Sequence, residues 1–349
     1  HIKVRGYTQF RYNAPTTNSA LVNLQGDKSM GGPGSFSIRR ARLVLSGDVH
    51  PLVSIYLQFD FASTTDSGLH FAQVRDWYAD IYEPSKEFRI RVGQSKVPFG
   101  FENMQSSQNR ITLDRSDAIN SALVNERDLG AFLYYAPTEI RKRFKYLVES
   151  GLKGSGDYGM VALGVFNGQT ANKADLNANK HVVGRITYPF EIGNQIVEVG
   201  GGGYVGRYVV SKDDGITGDD EFWDARGNLA LVLYPKPFGF QAEYNVGVGP
   251  ELQNVTETTT PTGSVFSGTV QQEFLQGGYV LAQYRIENVF PGVVSPYVRG
   301  FFYDGGKKHE TNAPHYRVKE IEMGVEWQII PALEFTGAFT TAERTAGTL

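Results

Sequence analysis

The chain has 349 residues, 40 of them Gly, 22 Phe, 19 Tyr and none Cys, and its formal net charge is −3. Lack of Cys excludes thiolate catalysis and Cys-ligated zinc, and the near-neutral charge argues against a nucleic-acid partner. No apolar run approaches the roughly 20 residues that a membrane helix requires, so a membrane-spanning version of this chain has to be a closed barrel of strands.

Taken in order, the segments alternate with period two. Residues 2–12 set Ile2, Val4 and Phe10 against Lys3, Arg5, Gln9 and Arg11. The chain thus opens inside a strand pattern, as a mature or trimmed form does. Residues 37–49 oppose Ala41, Leu43, Leu45 and Val49 to Arg40, Arg42, Ser46 and Asp48. In residues 52–61, Val53, Ile55, Leu57, Phe59 and Phe61 share one face and Ser54, Tyr56, Gln58 and Asp60 the other. Trp77, Ala79 and Ile81 oppose Asp76, Tyr78 and Asp80, and Phe88, Ile90 and Val92 oppose Arg89 and Arg91. Residues 240–246 and 320–329 repeat the scheme, with Glu243, Glu320, Glu322 and Glu326 on the polar face. Such alternation places one side of each strand in an apolar medium and the other in a polar one. The heavy charge on the polar faces suits water contact.

Connections alternate in length. Short turns fall at 47–52, 83–87, 189–195, 234–239, 288–295 and Pro331; long polar loops fall at 13–35, 98–128, 167–180, 211–220, 249–269 and 304–315. Short periplasmic turns and long extracellular loops mark outer-membrane barrels. Tyr82, Phe190, Tyr234, Phe290 and Trp327 lie near strand ends, where interfacial girdles form. The rhythm yields about fifteen strands, so an even-numbered barrel would need one more, which this sequence does not contain. The non-aromatic Leu349 agrees with such a missing end. Residues 136–158 are too long for a turn; an extra hairpin arm, 145–153 with 154–157, would raise the count toward eighteen. The expected fold is therefore a single all-β transmembrane antiparallel barrel over residues 1–349, with no long stretch of helical period.

Two segments carry a family resemblance. Phe36-Ser-Ile-Arg39-Arg40-Ala41-Arg-Leu43 is one, and Arg91-Val-Gly93-Gln-Ser-Lys96-Val-Pro98-Phe99-Gly100-Phe-Glu102, followed by Ser106-Ser107 and Leu113-Asp114-Arg115-Ser116, is the other. With Arg127-Asp128-Leu129-Gly130 and Gly164-Val165-Phe166-Asn167-Gly168, the chain resembles the phosphate-selective porin O/P family, most densely over residues 2–190. The resemblance implies about sixteen strands, a homotrimer in the outer membrane of a Gram-negative bacterium among lipid and lipopolysaccharide, and a third extracellular loop, here 98–128, folded inward as a constriction. It further implies that Arg39 and Arg40 are the family's paired arginines, that Asp76 is a lumen carboxylate, and that Ser106, Ser107 and Arg115 line the constriction. Phosphate-selective members carry Lys just after the Glu of the Phe-Gly-x-Glu motif; Asn103 stands there in this chain, which puts a high-affinity phosphate site in doubt.

The expected solute pathway comprises Arg39, Arg40, Arg42, Asp76, Arg89, Arg91, Asn103, Ser106, Ser107, Arg110 and Arg115. Arginine suits phosphate and other small anions because its planar fork donates paired charge-assisted hydrogen bonds. Against it stands the bland reading, in which these arginines pair with Asp60, Asp76 and Asp80 and merely hydrate the lumen. The later glutamates, with Glu334, predict a transverse field and a non-selective diffusion porin as a rival function. A barrel scaffold for a surface partner is a second rival. Gly201-x-Gly203-x-x-Gly206 spells a dinucleotide fingerprint, but the following Arg207-Tyr208-Val209-Val210 continues as strand, so these are strand glycines. His309 and His315 share a loop without metal-ligand spacing and read as surface histidines. No Gly-x-Ser-x-Gly elbow occurs, and no cofactor, metal or enzyme activity is expected.

Overall fold

The computed structural model describes residues 2–16, 34–65, 68–260, 263–288 and 291–347. Most of the expected 13–35 loop, and Phe290, lie outside them. The strands are β1 (Lys3–Asn13), β2 (Ser35–His50), β3 (Val53–Thr65), β4 (Gly68–Tyr82), β5 (Phe88–Lys96), β6 (Arg127–Tyr135), β7 (Val161–Phe166), β8 (His181–Ile192), β9 (Gln195–Val209), β10 (Ile216–Thr217), β11 (Glu221–Leu233), β12 (Phe238–Thr260), β13 (Gly263–Tyr284), β14 (Ile286–Glu287), β15 (Val293–Gly306), β16 (His315–Ile330) and β17 (Leu333–Ala346). They form one 17-stranded sheet. Setting aside the two-residue β10 and β14, each strand pairs antiparallel with the next, the meander that short turns and long loops require.

Burial is inverted relative to a soluble sandwich. On β16, Ile321, Met323 and Val325 are 49%, 47% and 45% exposed, while Glu320, Glu322 and Glu326 are 5%, 1% and 3% exposed. On β4 and β5, Trp77, Ile81, Phe88, Ile90 and Val92 face outward, and Asp76, Asp80, Arg89 and Arg91 are buried inside. Charged groups avoid a hydrocarbon solvent and apolar ones accept it, so this arrangement is stable only with lipid outside and polar partners inside. The facings expected from alternation hold on these strands. Among the described girdle candidates, Tyr234 is fully buried against Phe101 and Ile196, inside rather than at the lipid interface.

Three elements depart from the sequence reading. Residues 249–260 and 263–269 are not loop, since β12 and β13 pair from Phe238↔Tyr284 to Thr260↔Gly263, and their Thr and Val residues favour extended backbone. Residues 136–158 contain no hairpin arm; they form the helix α2 (Thr138–Glu149), whose Ile140, Phe144 and Leu147 recur at helical spacing and are buried. The stripe spans only three residues, which is why it escaped a search for long helical repeats. A six-residue helix, α1 (Asp117–Ala122), sits fully buried within the segment joining β5 to β6.

Candidate functional site

The site is built on the β5–β6 connection, residues 97–126, which lies across the inner faces of the strands. Two apolar clusters seat it. Val97, Phe99, Ile119, Ala122 and Leu123 pack with Phe132, Ala162, Phe166, Val183 and Tyr204 on one wall. Ile111 and Ala118 pack with Tyr279, Tyr297, Phe301, Tyr303 and Val318 on the other. Polar anchors fix its course. Lys96 Nζ donates to the carbonyls of Asn103, Met104 and Gln105 at 2.9, 3.2 and 2.6 Å. Glu243 accepts the amides of Phe101 and Glu102 at 3.3 and 3.0 Å. Glu102 accepts both the amide and Oγ of Ser116 at 2.9 Å. Gly100 adopts φ +73, and a Cβ there would collide with the Glu243 carboxylate and lie 2.9 Å from Ile119 Cδ1.

Asp114 is the focus of the charge. Arg11 Nη1 reaches its Oδ2 at 2.7 Å, Arg39 Nη2 its Oδ1 at 2.8 Å, and Arg40 Nη2 the same oxygen at 3.6 Å. Consecutive strand residues normally point to opposite faces. Arg39 and Arg40 reach one carboxylate because the register shifts there, from Gln9↔Arg40 to Phe10↔Ile38, leaving Arg39 as a bulge residue. Burial by itself would raise the Asp114 carboxyl; Arg39, Arg11 and Arg40 outweigh it and hold it well below the usual carboxylate range. Arg110 adds a further positive charge, close enough to be felt at Arg40. It is 5% exposed, and its Nε and Nη1 have no hydrogen-bond partner among the described residues.

The other expected pathway residues are engaged as follows. Arg42 donates to Asp60 at 2.9 Å, Tyr7 at 2.8 Å and Ser107 at 3.0 Å. The Ser106 carbonyl accepts the amides of Asn109 and Arg110 at 2.8 and 3.1 Å, closing the turn that presents Arg110. Asn103 is wholly buried, donating to Val97 O at 3.0 Å and accepting from Arg115 at 2.8 Å. Arg115 also pairs with Glu126 at 3.2 Å, and burial lowers it to about 10. Asp76 pairs with Arg127 at 3.0 Å. Arg91 grips Asp80 in a fork at 2.7 and 2.8 Å and lies 3.7 Å from the Tyr78 ring centre. Arg89 reaches Asp157 at 3.4 Å. The arginines thus divide. Arg89, Arg91 and Arg127 are matched by carboxylates on the wall and beside it, while Arg11, Arg39 and Arg40 converge on Asp114 of the connection.

The acidic wall is likewise compensated. Arg299 Nη2 lies 3.0 Å from Glu322 and 3.6 Å from Glu320, and its Nη1 lies 3.2 Å from Glu102. Glu326 pairs with Lys153 and Glu320 with Arg344. Arg299 was missed in the sequence, although alternation from Tyr297 to Tyr303 places it inward. Also missed was a cluster around Asp224, where Lys308 and His181 Nε2 (3.1 Å) converge. Burial pulls Lys308 down to about 8 although Asp224 favours its charge. Gly206, one of the fingerprint glycines, leaves room for the His181 ring. His309 is half-buried rather than at the surface, 3.1 Å from the Tyr208 hydroxyl and 3.3 Å from the Ala122 carbonyl, because its loop folds onto α1. Among the described residues, no group of His, Asp and Glu could hold a metal.

An antiparallel meander with an apolar exterior, a charged interior and a polar connection laid across that interior defines an outer-membrane β-barrel channel rather than an enzyme. Residues 19–222 match the phosphate-selective porin O and P family, and the chain belongs to that family, a porin of the bacterial outer membrane. Solved structures share its fold at low identity. The outer-membrane channel DcaP of Acinetobacter baumannii aligns with TM-score 0.52 and 12% identity over 99% of this chain and 92% of that one. Salmonella typhi OmpF, solved with daunomycin, aligns with TM-score 0.52 and 11% identity over 99% and 97%. The trimer form of OmpT from Vibrio cholerae aligns with TM-score 0.51 and 10% identity over 98% and 89%. No curated protein matches the chain.

Proposed function

We propose that this porin passes small anions, phosphate among them, passively down their gradient, and that the 97–126 segment is the inward-folded third extracellular loop that narrows the lumen. The observation carrying this reading is the gathering of positive charge at one place. Arg11, Arg39 and Arg40 all reach the Asp114 carboxylate, and Arg110 beside them keeps two guanidinium nitrogens without hydrogen-bond partners among the described residues. A ring of cationic donors in a confined pore raises the local anion concentration and replaces part of the anion's hydration. Arg42 and Ser107 extend the donors along β2, and Arg115 and Asn103 fix the loop behind them. Asp76, Arg89 and Arg91 contribute to the field of the wall as members of ion pairs. The channel works as a homotrimer in outer-membrane lipid and lipopolysaccharide, as supported by the trimeric OmpT form of the same fold.

A non-selective diffusion porin is the second reading, favoured by Asn103 in place of the family's lysine and by the internal pairing of most wall charges. Reversal potentials in a planar bilayer under a KCl gradient, then with phosphate as the anion, decide between them. Anion preference in both salts supports the proposal. A potential near zero leaves the diffusion porin, and a cation-selective potential removes the anion assignment.

A further inference from the structure

We propose that the β6–β7 connection is a second narrowing of the channel, a strap across the periplasmic mouth that limits the exit of solute and has Lys153 at its far anchor. The inference rests on the channel reading above. The connection lies at the end of the barrel where the short turns gather, the periplasmic end in this architecture. It touches, in succession, five of those turns or the strand ends that flank them. At the β4–β5 turn, Thr138 donates its amide and Oγ1 to Glu87 at 2.8 and 2.9 Å. At the β8–β9 turn, Arg143 donates to Pro189 O at 2.6 Å and pairs with Glu191 at 2.8 Å. At the β11–β12 turn, Lys236 Nζ lies 5.0 Å from the centre of the Tyr146 ring. Beyond β13, Arg285 donates to Gly151 O at 2.8 Å. On the strands flanking the last turn, Lys153 pairs with Glu326 of β16 and lies 3.9 Å from Glu334 of β17.

Turns spread around the rim of a barrel can be reached in sequence by one short segment only if that segment runs over the opening. The buried face of α2 agrees with this course. Ile140, Phe144, Leu147 and Leu152 pack with Ile196, Val232 and Tyr234, and with Phe101 of the 97–126 segment. Gln105 Nε2 then donates to Lys153 O at 2.7 Å, tying the strap to that segment. A solute that has passed Arg110 therefore meets a second polar constriction before it leaves. Lys153 is 7% exposed and presents the only positive charge between the Glu326 and Glu334 carboxylates among the described ion pairs.

Two variants test this by single-channel recording. In the first, residues 138–152 give way to a short Gly-Ser turn. In the second, Ser150→Cys places a unique thiol on the strap, which the absence of native Cys makes specific, and a bulky maleimide is added from the periplasmic side. The shortened barrel, shown to be folded by circular dichroism, is expected to conduct about twofold more or better with its anion preference retained. Labelling the thiol is expected to cut the current. Unchanged conductance in a folded shortened barrel, or full labelling with unchanged current, overturns the strap. Should the shortened chain not fold, the thiol variant decides alone. A wild-type protein that does not conduct would instead sink the channel reading itself.

Discussion

Arg39 Nη2 and Asp114 Oδ1 meet at 2.8 Å across 75 residues of sequence, one on a strand bulge and the other in the connection between β5 and β6. This contact joins wall to loop, and with Arg11 and Arg40 it sets both the local charge and the position of the loop. Removing the carboxylate should therefore have two separable effects.

In Asp114→Asn the arginines lose this counter-charge, so the anion preference should rise while the loop loses its clasp. Breaking such a buried, charge-assisted network costs roughly 2–3 kcal/mol, read as a lower Tm in detergent. The pH dependence has a definite sign. The folded carboxyl sits below its ordinary value, so its stabilisation is complete above about pH 4 and is lost as pH falls toward the folded value. The wild-type Tm should thus drop more between pH 5 and pH 3 than that of the Asn variant; equal slopes would contradict the clasp.

The double variant Arg40→Ala, Arg110→Ala removes charge from the same place without touching Lys96 or Glu243, which hold the loop. Its anion-to-cation permeability ratio should fall by roughly threefold or more, given how strongly a confined site concentrates counter-ions. Arg89→Ala, whose arginine faces Asp80 and Asp157, should change the ratio far less. Identical reversal potentials for wild type and double variant would move the selective site elsewhere.

Gly100 and Gly193 both have positive φ, +73 and +60, but a Cβ at Gly193 meets nothing within 4 Å. Gly193→Ala should cost only the backbone strain, about 1 kcal/mol. Gly100→Ala adds a collision with Glu243 and Ile119, so it should lower Tm further and make the open-channel current noisier. Similar melting temperatures for the two would mean that the loop is not pinned at Gly100.

Leu229 is 70% exposed on β11. On a soluble protein, Leu229→Arg would be nearly neutral. In a lipid-facing wall it should cost roughly 1–4 kcal/mol, depending on depth, measured by denaturant unfolding in lipid vesicles. A change within about 0.5 kcal/mol, as expected for an ordinary protein surface, would argue against hydrocarbon at this face.

What the sequence determined by itself is the sidedness of the wall. A strand has a period of two, and the two solvents impose opposite preferences on alternate residues. Ile321, Met323 and Val325 could therefore be placed outside and Glu320, Glu322 and Glu326 inside before any coordinate was known. The turn rhythm and the family motifs around Arg39 and Gly100 followed from equally local signals. Tertiary structure alone decided which charges meet. Arg39 turns inward only through a bulge, which alternation does not reveal. Arg299 meets Glu102, Glu320 and Glu322, and Asp114 gathers Arg11, Arg39 and Arg40, through contacts between residues far apart in the chain. The strap was illegible for a related reason. Its helix is short, and its apolar stripe finds partners only where α2 meets Phe101, Ile196 and Tyr234. Which charges cancel is a question of distance in space, and the period of a single strand carries no information about that.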